Sequence, residues 1–308
     1  MEKHTPVLLK ETIDGLNIKP DGIYLDLTIG RAGHSSEILK RLTSGKLIGF
    51  DQDIEAITES TERLKKISNS YELVKSNFKN FDSYLKTQNI DYVDGILMDL
   101  GVSSPQFDDP LRGFSYREDA PLDMRMDKDN PLTAQIIVNT YSFDSLLKIF
   151  NEYGEDKFSY SIAKNIVKER EIKPIETTFE LVNIIRKSKP AKELSKEGHP
   201  AKQIFQALRI AVNDEINVLK ETLDKALYYL RPKGGRLAVI TFHSGEDKIV
   251  KKCFLDYSLV IGNRIDGPMV NEEKYYKLVN KKAITASDEE LQINHRSASA
   301  KLRIIERK

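Results

Sequence analysis

The sequence lacks most of what would place it outside a reducing, aqueous compartment. It contains one cysteine, Cys253, which excludes an intramolecular disulfide and suits a reducing cytoplasm. No apolar run approaches the ~20 residues that a membrane-spanning helix requires. The opening MEKHTPVLLKET sets charges inside its only apolar patch and fails as a signal h-region. Neither sign of charge is in excess: 48 Lys and Arg stand against 47 Asp and Glu, for a formal net charge of +1. A global polycation is therefore excluded, and any surface for nucleic acid has to be local. Internal repeats and low-complexity segments are also missing. The 308 residues suffice for one large or two modest domains with real cores. The expectation is a soluble cytoplasmic protein without a membrane partner.

What the sequence does have, over its first hundred residues, is alternation. Strands are predicted at 23–27, 46–50, 71–75 and 94–98, with helices at 34–42 and 54–67. Strands alternating with helical patterns predict a parallel, doubly wound α/β sheet, whose ligands bind beyond the carboxyl ends of the strands. Three of those ends carry an aspartate: Asp26, Asp51 and Asp99. The alternation then stops. Residues 106–205 read as loop followed by helices, with Ile162, Ala163, Ile166 and Val167 as an amphipathic stripe and Thr177 to Glu180 as a capping box. It resumes with one long helix over 205–230, a strand over 236–242 and a closing strand over 301–305. The domain reading is a discontinuous sheet domain, 1–105 and 206–308, interrupted by a mainly helical insertion, 106–205.

The stretch DLTIGRAGHS (26–35) takes the first strand through a glycine turn into a helix. Such a turn presents backbone N–H groups and the positive end of a helix to a ligand. Gly30 and Asp51 are 21 residues apart, close to the glycine-to-acid spacing of a dinucleotide fold, so NAD is one reading. That fingerprint requires glycine at 32 and glycine or alanine at 35, where this chain has Ala32 and Ser35. S-adenosylmethionine, with a ribose but no phosphate, fits better: its diol suits the Asp51 carboxylate, its ammonium suits aspartates, and its carboxylate suits the turn.

On the acceptor side, DLGVSSPQ (99–106) leaves the fourth strand. An exocyclic amine of cytosine or adenine is a poor nucleophile, because its lone pair is delocalised into the ring. Acceptors on its N–H groups favour pyramidalisation and take up the charge that develops during methyl transfer. Asp99 and Ser103 are the candidate catalytic groups. Methylation at carbon-5 requires a cysteine nucleophile, and Cys253 reads as a core residue.

Three blocks, DGILMDLGVSSPQFDDPLRGFSYREDAPLDMRMD (94–127), HPAKQIFQALRIAVNDE (199–215) and FHSGEDKIVK (242–251), together resemble one family. It is the ribosomal small-subunit RNA cytosine-N4 methyltransferase family, called RsmH or MraW, and the resemblance runs from HTPVLLKE (4–11) to SAKLRIIER (299–307). It implies a Rossmann-like S-adenosylmethionine-dependent methyltransferase sheet with a helical, substrate-recognising insertion. It also implies methylation of the N4 amine of a cytidine in the decoding region of small-subunit ribosomal RNA, in an assembled or nearly assembled subunit; a homodimer is compatible with it. Matched position by position, the resemblance implies Ala32, Gly33, His34, Asp51, Phe78, Asp99 and Gln106 at the cofactor. The chain departs from the family pattern at Ala32 for glycine, Gln203 for arginine, Gly245 for leucine, His295 for proline and Ala298 for arginine. An alanine at 32 is tolerated while φ stays negative. The alternatives are a divergent paralogue that methylates another RNA, and a non-catalytic RNA-binding or ribosome-assembly module.

Asp123, Arg125, His243 and Glu246 are substrate-side candidates; no third ligand completes a metal site at 243–247, so no metal is expected. Two local basic stretches offer RNA contacts. Residues 181–203 hold six Lys and Arg against two Glu, and residues 295–308 hold five against one.

Overall fold

The computed structural model describes residues 6–258 and 275–308; His4 and Thr5 of the HTPVLLKE motif lie outside them. The chain divides into two compact units. One comprises residues 1–101 and 217–308, the other residues 102–216.

The first unit is built on a seven-stranded sheet of order β3-β2-β1-β4-β5-β7-β6. Its strands are β1 (Ile23–Asp26), β2 (Lys46–Asp51), β3 (Tyr71–Lys75), β4 (Gly95–Asp99), β5 (Arg236–Thr241), β6 (Tyr276–Leu278) and β7 (Lys301–Arg307). β1 to β5 run parallel, and β7 lies antiparallel between β5 and β6. This is the Rossmann-like α/β class that the alternation predicts, with the order reversing between β1 and β4 at the usual place for a ligand.

The strands read as continuous apolar runs because both faces are covered. Leu25, Ile48, Ile96, Met98 and Val239 pack on one side with Leu223 and Leu227 of the helix Glu215–Tyr229. Tyr24, Leu47, Leu97, Ala238 and Ile240 pack on the other with Ile38 and Leu39 of the helix Gly33–Arg41. Each such Leu or Ile contributes roughly 1.5–3 kcal/mol by leaving water. β6 has no counterpart in the sequence reading; three residues are too few to show a period.

The second unit is helical around one apolar core that includes Ile137, Leu146, Phe150, Ile162, Ala163, Ile166, Leu181, Ile185, Ile204 and Leu208. The expected stripe lies on the helix Ser159–Arg170, and Thr177 and Glu180 form the expected capping box of Thr178–Lys187. The single helix expected over 205–230 is two, Lys202–Asn213 and Glu215–Tyr229. Asp214 between them adopts φ 53°. Asn213 explains the break. Its Oδ1 accepts from Met126 N at 2.8 Å, and its Nδ2 donates to Met124 O at 2.8 Å, so the chain turns to satisfy a loop instead of continuing the helix. Arg209 spans the break with an ion pair to Glu215 at 2.8 Å.

Both basic stretches are partly consumed inside the fold. Lys189 is buried against Asp156 and also donates to Pro200 O at 2.7 Å. Lys301 and Arg303 pair with Asp247 at 3.3 and 2.7 Å. Arg186, Lys187, Lys192 and Lys202 remain exposed.

Candidate active site

In the sheet unit, the turn after β1 is held almost entirely by its own hydrogen bonds. Asp26 accepts from Thr28 N at 3.1 Å and from the Ser35 hydroxyl at 2.7 Å. Gly30 N–H donates to Asp51 Oδ2 at 3.0 Å, and Asp53 N–H donates to Asp51 Oδ1 at 2.9 Å. The Ser60 hydroxyl closes onto Gly30 O at 2.7 Å. Gly33 has to be glycine, since a Cβ there would stand 2.3 Å from Pro6 Cγ. Ala32 breaks the condition set for it: φ is +55°, in the left-handed region, and the methyl is fully buried. A non-glycine residue there costs on the order of 1–2 kcal/mol, so the turn carries strain that the surrounding hydrogen bonds hold in place.

The ends of β4 and β5 are built differently. Asp99 N–H donates to Thr28 Oγ1 at 2.7 Å, which ties the end of β4 to the turn. Among the described residues, Asp99 Oδ1 is buried with no hydrogen-bond partner. His34 Nε2 lies 2.9 Å from Val7 O. A carbonyl only accepts, so this contact assigns the proton to Nε2 and turns Nδ1 towards Asp99 Oδ2, 3.7 Å away. Burial, followed by the charges of Asp26 and Glu246, pushes the Asp99 carboxyl up to about 8. Burial likewise pushes Asp26 and Asp51 up to about 6, against the hydrogen bonds they accept. Glu246 is buried after β5, where its Oε2 accepts from Phe242 N–H at 2.9 Å. His243 stands beside it, with Nε2 3.3 Å from Glu246 Oε1. Phe78 is half-buried, in the short turn that follows β3.

The remaining candidates belong to the helical unit. Ser103 caps the helix Ser104–Asp108 and forms a capping box with Gln106: Gln106 N–H donates to Ser103 Oγ at 3.4 Å, and Ser103 N–H to Gln106 Oε1 at 3.1 Å. Arg125 holds Asp123 through Nε at 3.0 Å and through Nη2 at 2.8 Å, and its Nη1 closes a loop onto Lys128 O and Asn130 O. Both pairs therefore shape their own loops. Among the described residues, no group of three His, Cys, Asp or Glu is placed to hold a metal ion.

The sequence reading brings Gly30 with Asp51 and places Asp99 at a strand end, but it misses Thr28 and Ser35 as locking groups. Their signal is the polar spacing DxT…S within 26–35, which binds the strand end to its own turn. The cofactor expected from sequence suits this unit. S-adenosylmethionine is cationic at both sulfonium and ammonium, and the unit offers one buried carboxylate, Asp26, and two half-buried ones, Asp51 and Asp99, of which Asp99 keeps an open oxygen. Of the described helices, none is long and apolar enough to cross a membrane.

Comparison with known proteins bears on the same reading. The profile of the MraW methylase family matches residues 1–308. A protein from Mesoplasma florum, named ribosomal RNA small subunit methyltransferase H, is 54% identical over 312 residues, covering 100% of both chains. One of the same name from Exiguobacterium sibiricum is 52% identical over 309 residues, covering 100% of this chain and 99% of the other. A solved structure of a methyltransferase from Streptococcus mutans in complex with SAH aligns with TM-score 0.43 at 14% identity, covering 100% of each chain.

Proposed function

The chain belongs to the MraW methylase family, and from that premise we propose that it methylates the N4 amine of a cytidine in the decoding region of small-subunit ribosomal RNA, in the cytoplasm. Its cofactor is S-adenosylmethionine, the methyl donor of this family. The observation that carries the reading is Asp99: a half-buried carboxylate at the end of β4 whose Oδ1 is buried and unpartnered among the described residues.

S-adenosylmethionine supplies an electrophilic methyl group on sulfur. The chain's own groups hold it and prepare the acceptor. Asp51 offers each carboxylate oxygen to a ribose hydroxyl while keeping its backbone N–H partners. With the N–H groups of Gly30 and Ala32 held by Asp51 and Ile29 O, the N–H groups at the start of the helix Gly33–Arg41 are those that would meet the methionine carboxylate. Asp99 Oδ1 accepts an N4–H of cytosine, which draws the nitrogen lone pair out of conjugation and towards the methyl group. As the N–C bond forms and the sulfur–methyl bond breaks to leave a neutral thioether, positive charge grows on nitrogen and an ionised Asp99 would stabilise it. The methylated ammonium is acidic and releases a proton to the carboxylate or to water, which restores the neutral amine.

The helical unit, 102–216, is the proposed substrate-recognition element. Arg186, Lys187, Lys192 and Lys202 provide the exposed cations for phosphate contacts. The test is single-turnover transfer to small-subunit particles at saturating cofactor, followed by nucleoside analysis. N4-methylcytidine is the expected product; methyl on carbon-5 or on adenine would overturn the assignment.

A further inference from the structure

Four buried side-chain polar atoms of the described residues lack a hydrogen-bond partner, Thr12 Oγ1, Tyr84 OH, Asp99 Oδ1 and His243 Nε2, and of these the last lies just beyond β5, the strand that pairs with that of Asp99. Among the described residues, His243 Nε2 is buried without a hydrogen bond, although Glu246 Oε1 is 3.3 Å away. The side chain of His243 is only 10% exposed. Its tautomer is set locally. Glu246 N–H donates to Nδ1 at 3.4 Å, so Nδ1 is the acceptor and the proton of the neutral ring is on Nε2. The ring fits closely. It lies over Gly245, where a Cβ would meet Nδ1 at 3.1 Å and Cε1 at 3.2 Å. In effect the imidazole fills the space a side chain at 245 would take.

β4 and β5 are parallel neighbours, with Asp99 paired to Ile240 and Leu100 N–H donating to Ile240 O at 3.0 Å. Asp99 and His243 therefore leave adjacent strands at the same edge of the sheet. One brings an unpartnered acceptor, the other a donor that makes no hydrogen bond although the Glu246 carboxylate stands beside it. A buried donor or acceptor left unpaired costs about 1–3 kcal/mol, so two such atoms at one strand edge mark a place for a ligand of complementary pattern. Cytosine has that pattern: its N4–H donates and the adjacent ring nitrogen N3 accepts. Uracil inverts both, setting O4 against the carboxylate and N3–H against the imidazole N–H.

The geometry points to His243 as a specificity-determining residue whose Nε2–H donates to N3 of the cytosine that Asp99 holds by its amine. Glu246 and Gly245 are positioning residues for that ring. The inference rests on the cytosine-N4 reading of the same site, and the experiment separates the two.

The methylated cytidine is first located by nucleoside mapping. Splint ligation then replaces it with 3-deazacytidine, which keeps the amine and removes the N3 acceptor. Wild-type single-turnover transfer should fall about ten- to hundredfold on the deaza substrate, the loss expected for one buried hydrogen bond. His243→Ala should lose a similar factor on native RNA, yet lose less than about threefold more on the deaza substrate, because the removed partners are the same pair. S-adenosylmethionine affinity by calorimetry should be unchanged. His243→Gln, which retains a terminal N–H donor, should recover part of the rate and guards against a folding defect in the alanine variant. Multiplying losses, or weakened cofactor binding with full rate at saturation, would overturn the assignment of His243. A wild-type product other than N4-methylcytidine would instead overturn the underlying reading.

Discussion

The turn at 26–35 and the strand ends at Asp99 and His243 lie in the same unit and are built on opposite rules. In the turn, Asp26, Asp51, Ser35 and Ser60 are hydrogen-bonded within the protein. At the strand ends, Asp99 Oδ1 and His243 Nε2 are buried without such bonds among the described residues. A folded chain satisfies its buried polar groups as a rule, and exceptions concentrate where a ligand completes them. The cofactor side is thus a finished cradle that needs no rearrangement, while the acceptor side holds polar atoms at a cost in stability that substrate offsets. Polar atoms left open at strand ends, more than the glycine turn, mark where the chemistry takes place.

The largest test of this contrast is Asp99→Asn. Methyl transfer at saturating cofactor should fall by at least about 10²–10³, the cost of one preorganised transition-state hydrogen bond. The same variant should melt higher than wild type at pH 8.5 without cofactor, because the buried charge is gone. A variant that keeps its rate, or melts lower, breaks the contrast.

On the cradle side, Asp51→Asn should weaken S-adenosylmethionine binding by on the order of 1.5–3 kcal/mol, through lost charge-assisted hydrogen bonds. It should also loosen the turn, since one face of the amide must then meet a backbone N–H donor of Gly30 or Asp53. Unchanged affinity by calorimetry removes Asp51 from the site.

The pH dependence of stability comes next. Asp26 and Asp51 rise from 3.8 to about 6 on folding, and Asp99 from 3.8 to about 8. Each binds its proton more tightly folded than unfolded, so stability from these groups falls as pH rises from 3.8 to the folded value. Of the three, only Asp99 contributes a decline between about 6 and 8, and that contribution should vanish in Asp99→Asn. A cationic cofactor favours the ionised carboxylate, so its stabilising effect in thermal melts should grow across that interval. A flat wild-type curve there contradicts the upward shift of the Asp99 carboxyl.

Smallest is Ala32→Gly. Relief of the left-handed strain, on the order of 1–2 kcal/mol, is opposed by a glycine entropy cost of roughly 0.5–1 kcal/mol, which leaves a net gain of about 0–1.5 kcal/mol. Denaturant melts resolve it; a clear loss of stability means that the buried methyl packs better than its backbone conformation suggests.

The sheet is legible in the sequence because its buried strands are short apolar runs that end in acids, and because β2 and β3 are punctuated by strong helix signals. The helical break at Asp214 is not legible. Asn213 and Asp214 sit in an unbroken apolar period, and only the distant Met124 and Met126 backbone demands the turn. The spacing from Gly30 to Asp51 makes the cofactor acid legible, but not that this acid also locks Gly30 in place. Local charge counts overstate the basic surface for a related reason: composition cannot reveal that Lys189 faces Asp156, or that Arg303 faces Asp247.

The strand order also bears on how the protein is made. β7 sits between β5 and β6, and Glu290 receives the backbone N–H of Leu8 at 2.8 Å. The seven-stranded sheet that carries Asp51 and Asp99 is therefore complete only once residues beyond 300 have left the ribosome. During synthesis the edge of β4 waits for β5, whose first residue, Arg236, lies far downstream of Asp99, a separation that slows pairing and invites aggregation. Truncations within the last strand should accordingly show first as insolubility in the cell, before any assay of methyl transfer can be made.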